Sequence, residues 1–152
     1  MKSVKNQAKP VIKELLARED DQLFTELGIR LNEMLRDPSI SGSIEVEIEP
    51  SVEDLGAIDE IKNFGKRYFK KINIQAYQLV CGDDSENEEM RQKIMQDFGI
   101  GKEAVAASIA VILISYLGIA PAISIVVSSL IVKLFFQSAY ETMCEMWQES
   151  IS

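Results

Sequence analysis

Apolar residues recur along most of this chain with the period of an amphipathic helix. Val11, Ile12, Leu15 and Leu16 share one face just after Pro10, a residue suited to the first turn of a helix. The spacing therefore predicts a first helix opened by Pro10. Leu23, Phe24, Leu27, Leu31, Met34 and Leu35 predict a second, with Asp20 or Asp21 as its cap and Pro38 as its stop. From about 51 to 80 one long face follows, carried by Leu55, Ile58, Ile61, Phe64, Tyr68, Phe69, Ile72, Ala76, Leu79 and Val80, and Gly82 ends it. Met90, Ile94, Met95 and Phe98 predict a short fourth helix, broken by Gly99 and Gly101. The second and third helices are separated by a different rhythm. Ile44, Val46 and Ile48 alternate with Glu45, Glu47 and Glu49, which predicts a short extended segment near 44–49. Nothing else alternates, so a sheet is not expected.

The pattern changes again after Glu103. From Ala104 to Val132 there is no charged residue, and the stretch is broken only at Gly118 and Pro121. Glycine just past one helix and proline at the start of the next mark a tight helical turn. Two antiparallel arms are expected, Ala104–Leu117 and Ala122–Lys133, with Gly118, Ile119, Ala120 and Pro121 at the tip. Helices apolar on every side are buried in protein or in lipid. A spanning helix needs about 20 apolar residues. Each arm reaches that length only by taking in charge, Lys102 and Glu103 in the first, Lys133 in the second. Small residues at Ala104, Ala107, Ser108 and Ser115, and at Ser124 and Ser128, form a stripe suited to close helix contact. Beyond Lys133 the second arm is expected to continue as an amphipathic extension through 149. It would carry Phe135, Phe136, Tyr140 and Trp147 either as an interface band or as an ordinary core face.

The chain thus reads as all-α and as one domain, 1–152. Residues 1–98 form an amphipathic sheath, 104–132 a hydrophobic hairpin and 133–149 the extension of its last helix. A length of 152 residues is enough for a core without staples.

Charge and composition narrow the chemistry. Net charge is -8, which disfavours nucleic acid as a partner. Histidine is absent, which excludes histidine-ligated metals and histidine-dependent catalytic sets. No nucleophile with a base and an orienting partner can be assembled, so an enzyme is not expected, nor a cofactor or metal. In the Gly99–Glu103 stretch, Met95, Gln96 and Glu103 stand where a phosphate loop needs other residues. The acidic run 83–89 lacks the order of a calcium loop. Cys81 and Cys144 are too few for a disulfide scaffold and are expected as free thiols on apolar faces, in keeping with a cytoplasmic chain. No secretory signal is legible near Met1. Lys2, Lys5, Lys9 and Lys13 instead suggest a solvated arm, or one that touches anionic lipid or an acidic partner. Lys62, Lys66 and Lys70 stripe one helix face beside Arg67 and Lys71. This basic patch suits lipid or a partner, or pairing with the chain's own carboxylates.

An apolar hairpin sheathed by amphipathic helices resembles the arrangement of pore-forming bacteriocins of the colicin type. The resemblance is architectural and covers about 104–132 with its presumed sheath. It implies a soluble form that hides a hairpin which later enters a bilayer. The expected function is therefore membrane perturbation by a small effector or toxin, stored soluble and oligomeric when active. It would relocate from the cytoplasm to the inner membrane. Proteolysis near 83–89, a protein partner at the N-terminal helices, or lipid at the basic patch would be the trigger. The alternative is a soluble interaction or adaptor module whose hairpin is only its core.

Overall fold

A computed structural model describes residues 2–37, 58–83 and 85–151. The described residues form seven α-helices and no strand. These are α1 (Lys2–Leu16), α2 (Asp20–Arg36), α3 (Ile58–Cys81), α4 (Glu88–Asp97), α5 (Lys102–Leu117), α6 (Pro121–Phe135) and α7 (Tyr140–Ile151). A 3-10 turn, Ser85–Asn87, leads into α4. The chain is all-α, as its periodicity predicts. The alternating segment at 44–49 lies outside the described residues.

Pro10 sits inside α1 instead of opening it. It removes one backbone hydrogen bond. The turn survives because Ala8, Ile12 and Leu15, spaced along one face, are buried and α1 packs on α5 and α6. From Ala8 onward the basic N-terminal run is thus part of a docked helix, not a solvated arm. At the next helix, the Gln22 side-chain oxygen accepts the Glu19 backbone N–H at 2.9 Å, while Asp20 and Asp21 fill the first turn.

α2 and α3 cross where two glycines meet. A Cβ on Gly28 would lie 2.0 Å from the Ile61 carbonyl oxygen, and one on Gly65 2.2 Å from that of Phe24. The backbones themselves are in contact there. Phe24 and Phe69 then pack edge to face beside the crossing, at 5.5 Å.

α6 is the centre of the molecule. Every residue from Ala122 to Val132 is buried, three consecutive turns, so no face is left to solvent. α5, α2, α1 and α7 all pack on it. α5 is buried along Ala104–Ala107, Ile109, Ala110, Ile112 and Leu113, but Ser115 and Tyr116 face outward.

The last helix is not an extension of α6. The chain breaks after Phe135 and turns by 97° into α7. The cause is tertiary. Phe136 leaves the helix in an extended conformation and stacks on Phe98 at 5.4 Å. Tyr140 packs edge-on against the same Phe98 ring, and its hydroxyl donates to the Val80 carbonyl at the end of α3. Cys81 and Cys144 are not free thiols either. They form a disulfide, Cα to Cα 5.7 Å, joining the last residue of α3 to α7. The 97° turn is what carries Cys144 back to Cys81.

Candidate functional site

The hairpin tip is built by one residue in the left-handed region. Gly118, with φ +65°, ends α5, and the Ile119 N–H reaches back to the Leu113 carbonyl at 3.1 Å. Ile119 is thereby tucked in at 9% exposure, while Gly118 is exposed and Ala120 and Pro121 are half-buried. Proline then starts α6 with its missing N–H at a position that needs none. The expected tip residues are together, but only Gly118 presents itself fully to solvent.

The small-residue stripe divides into three parts. Ala104 and Ala107 are buried in the α5 face that meets its neighbours. Ser108 is half-buried and donates to the Asp97 carboxylate at the end of α4, whereas Ser115 is exposed and takes no part in packing. In α6, Ser124 donates to the Ile119 carbonyl at 3.1 Å, and Ser128 and Ser129 to the Ile125 carbonyl at 3.1 and 2.8 Å. All three serines are fully buried, and all three are satisfied by their own helix or the turn before it.

Polar ties to the hairpin come from the sheath. Arg30 of α2, 3% exposed, donates through Nη1 to the Ala122 carbonyl at 2.9 Å and through Nε to Glu26 at 2.7 Å. Glu26 also accepts from Arg18 at 3.3 Å. A buried arginine with full pairing is held strongly, and one that loses its partner is costly. Lys133, at the other end of α6, reaches the Leu16 carbonyl that closes α1, at 3.3 Å.

The aromatic residues near the outer end of the hairpin are a core face. Trp147 is fully buried, stacked on Phe135 and edge-on to Tyr77, and its indole N–H donates to Asn73 Oδ1 at 2.7 Å. Nearby, Arg91 of α4 caps the end of α3. Its Nε donates to the Leu79 carbonyl at 3.0 Å and Nη2 to that of Gln78 at 3.2 Å. Neither buried arginine carried a sequence signal beyond its helical position.

The basic patch is split by the fold. The Lys62 and Lys66 ammonium groups lie 3.8 and 3.9 Å from the Asp21 carboxylate, and Lys66 also sits over the Phe24 ring at 5.6 Å. These two tie α3 to α2, weakly because they are partly solvated. Arg67 lies over Phe64, and it, Lys70 and Lys71 are exposed. A groove of about 420 Å³ runs between α4 and α5, with Met90, Ile94, Val111 and Ile112 in its walls and Glu86, Glu89, Lys93 and Tyr116 around them. Among the described residues no cluster of three potential metal-ligating side chains occurs. No single described helix is long and apolar enough to cross a membrane, but α6 and α7 together have the length and composition, with the 97° bend between them.

Burial holds the Tyr140 phenol above its ordinary value of 10.0, with Arg91 pulling it down and Tyr77 pushing it up; burial raises Tyr68 likewise. The folded state therefore keeps these protons more tightly than the unfolded chain. Their contribution is intact below about pH 10 and is lost as pH rises through the folded values. Thermal melts should fall as pH rises above about 10, and Tyr140→Phe should reduce the drop. An equal drop in that variant would show that Tyr140 plays no part in it.

Comparison with known proteins returns no match: no family model, no curated protein and no solved structure aligns significantly with the chain.

Proposed function

We propose that the protein is a membrane-perturbing effector that stores the α5–α6 hairpin inside a helical bundle and inserts it into a bilayer on a trigger. The observation that carries this reading is the self-sufficiency of α6. Its buried hydroxyls bond to carbonyls of α6 itself or of the preceding turn, not to the helices around it. A segment entering lipid must satisfy its polar groups internally. α6 can exchange protein for lipid without exposing an unpaired serine. Burial in the bundle and burial in a bilayer then satisfy the same apolar surface, so a modest difference in affinity shifts the population. Arg30, bonded to the Ala122 carbonyl, is a polar tie that insertion must break. Arg67, Lys70 and Lys71 offer a first contact with anionic headgroups.

Dye release from vesicles containing an anionic phospholipid tests the reading. Wild type should leak dye, and Gly118→Asp should leak little. Gly118 is exposed with nothing within 4 Å of an added Cβ, so the aspartate meets only the backbone strain of φ +65°, about 1 kcal/mol. Helicity and melting of the variant should stay close to wild type. A wild type that leaks no dye when oxidised, when reduced or after cleavage near 83–89 would sink the proposal.

A second reading, an interaction module, is favoured by the α4–α5 groove with its half-exposed Tyr116. It expects Tyr116→Ala to weaken a partner complex while vesicles stay sealed.

A further inference from the structure

The geometry points to the Cys81–Cys144 disulfide as a redox clasp that keeps α7 folded back on α3, so that a dithiol reductant releases α7 from the bundle. Three observations meet here. The chain links α7 to α6 through residues 136–139, where it turns by 97°, and Phe135 at the end of α6 stacks on Trp147. A helix of 12 residues is marginal by itself in water, and α7 also stacks like charges. Glu141, Glu145 and Glu149 stand at four-residue intervals, all exposed, and the last turn holds no basic residue. Repulsion at this spacing opposes the helix. α7 buries only Met143 and Trp147, so its place rests on few ties: the Trp147 stack on Phe135, the indole bond to Asn73, the Tyr140 hydroxyl on Val80 and the disulfide.

The clasp is reachable. Both cysteines are half-buried, not sealed in the core. A thiolate of a small dithiol attacks one sulfur, breaks the S–S bond and forms a mixed disulfide. Its second thiol then displaces the protein sulfur and closes a cyclic disulfide. The balance is two protein thiols gained and one dithiol oxidised. With the covalent tie gone, α7 opens about residues 136–139. Trp147 leaves Asn73 and Tyr77, and Phe135 at the end of α6 loses the indole stacked on it. The bend that separates α6 from α7 is then free to straighten. In that form the pair meets the length and composition of a span. This last consequence rests on the function proposed above; the release of α7 does not.

Trp147 is the chain's single tryptophan, so its emission reports α7 alone. In buffer without lipid, reduction by dithiothreitol should move the emission to longer wavelength. It should also accelerate amide exchange in 140–151 about ten-fold or more, while 122–132 stays protected. The double variant Cys81→Ser with Cys144→Ser should behave as reduced wild type without any reductant. Unchanged emission and exchange on reduction would overturn the clasp, and so would melting of the whole bundle, since α7 would then not be a separable element. Vesicle leakage measured with and without reductant is the separate arm. Leakage that ignores reductant leaves the membrane reading standing and overturns its control by the clasp. An α7 that opens over sealed vesicles leaves the clasp standing without the membrane reading.

Discussion

Trp147→Ala is expected to cost about 4 kcal/mol and to lower the melting temperature by roughly 10 °C. The ring is fully buried, with Phe135 stacked on one side and Tyr77 edge-on at 5.6 Å. Truncation leaves a cavity in the seam where α3, α6 and α7 meet, which costs about 3–5 kcal/mol for a large aromatic side chain. It also orphans the Asn73 amide oxygen, 9% exposed, which adds to the cost because a buried acceptor left unpaired is not hydrated in compensation. Against a total stability of about 5–15 kcal/mol this is a large fraction. Trp147→Phe separates the two contributions. It keeps an aromatic ring and removes the N–H, so it should cost about 1–2 kcal/mol. Calorimetric or circular-dichroism melts read both. A Trp147→Ala protein melting within a degree or two of wild type would mean that α7 does not contribute to the folded core.

Gly28→Ala should also be damaging, although it adds one methyl group and favours helix. The new Cβ would sit 2.0 Å from the Ile61 carbonyl oxygen and 2.8 Å from its carbon, both backbone atoms that no rotamer change can move. α2 and α3 must separate by more than an ångström, and Phe24 and Phe69 lose their edge-to-face contact as they do. Overpacking of this kind costs about 1–3 kcal/mol or more, and helix propensity returns about 1 kcal/mol. A net loss of about 2 kcal/mol is expected, the upper end of that range, because the clash is with backbone. Gly99→Ala is the control. Its Cβ would meet nothing closer than 3.4 Å, so the change should stay within about 0.5 kcal/mol. Equal melting of Gly28→Ala and Gly99→Ala would show that the two helices do not cross in contact.

These positions also mark where the sequence stopped being readable. The helices and the hairpin were legible because burial imposes a 3.6-residue period, and because Gly118 and Pro121 each suit only one side of a turn. The break after Phe135 was not. Phe135, Phe136, Ala139 and Tyr140 continue a helical face, and no glycine or proline interrupts it. The turn is imposed by Phe98 and Val80, residues 38 or more positions earlier, whose approach leaves no local trace. The disulfide was hidden for the same reason, its cysteines standing 63 positions apart. Pro10 misled because its preference for a first turn is a local rule, and docking of Ala8 and Ile12 overrode it. Of the candidate site, the tip and the Ser124 and Ser128 positions were legible. Arg30 and Arg91 were not, since an arginine reads as a solvent residue until its carbonyl partners are placed. The basic patch was half legible. Its spacing gave the shared face, but Asp21, which draws Lys62 and Lys66 toward α2, is far off in the sequence.

The docking of α1 has a consequence for how the chain is made. α1 ends at Leu16, yet its partners α5 and α6 begin only at Lys102 and Pro121. At about 5–20 residues per second, a ribosome takes several seconds to deliver them. Throughout that interval the apolar face of Ala8, Ile12 and Leu15 has no surface to cover it. α2 and α3, by contrast, meet through their own glycines and can assemble as they emerge. The hairpin arrives after both, as a charge-free stretch that packs on α1 and α2. The face of α1 thus stays open through most of synthesis, and it closes only when the hairpin is complete.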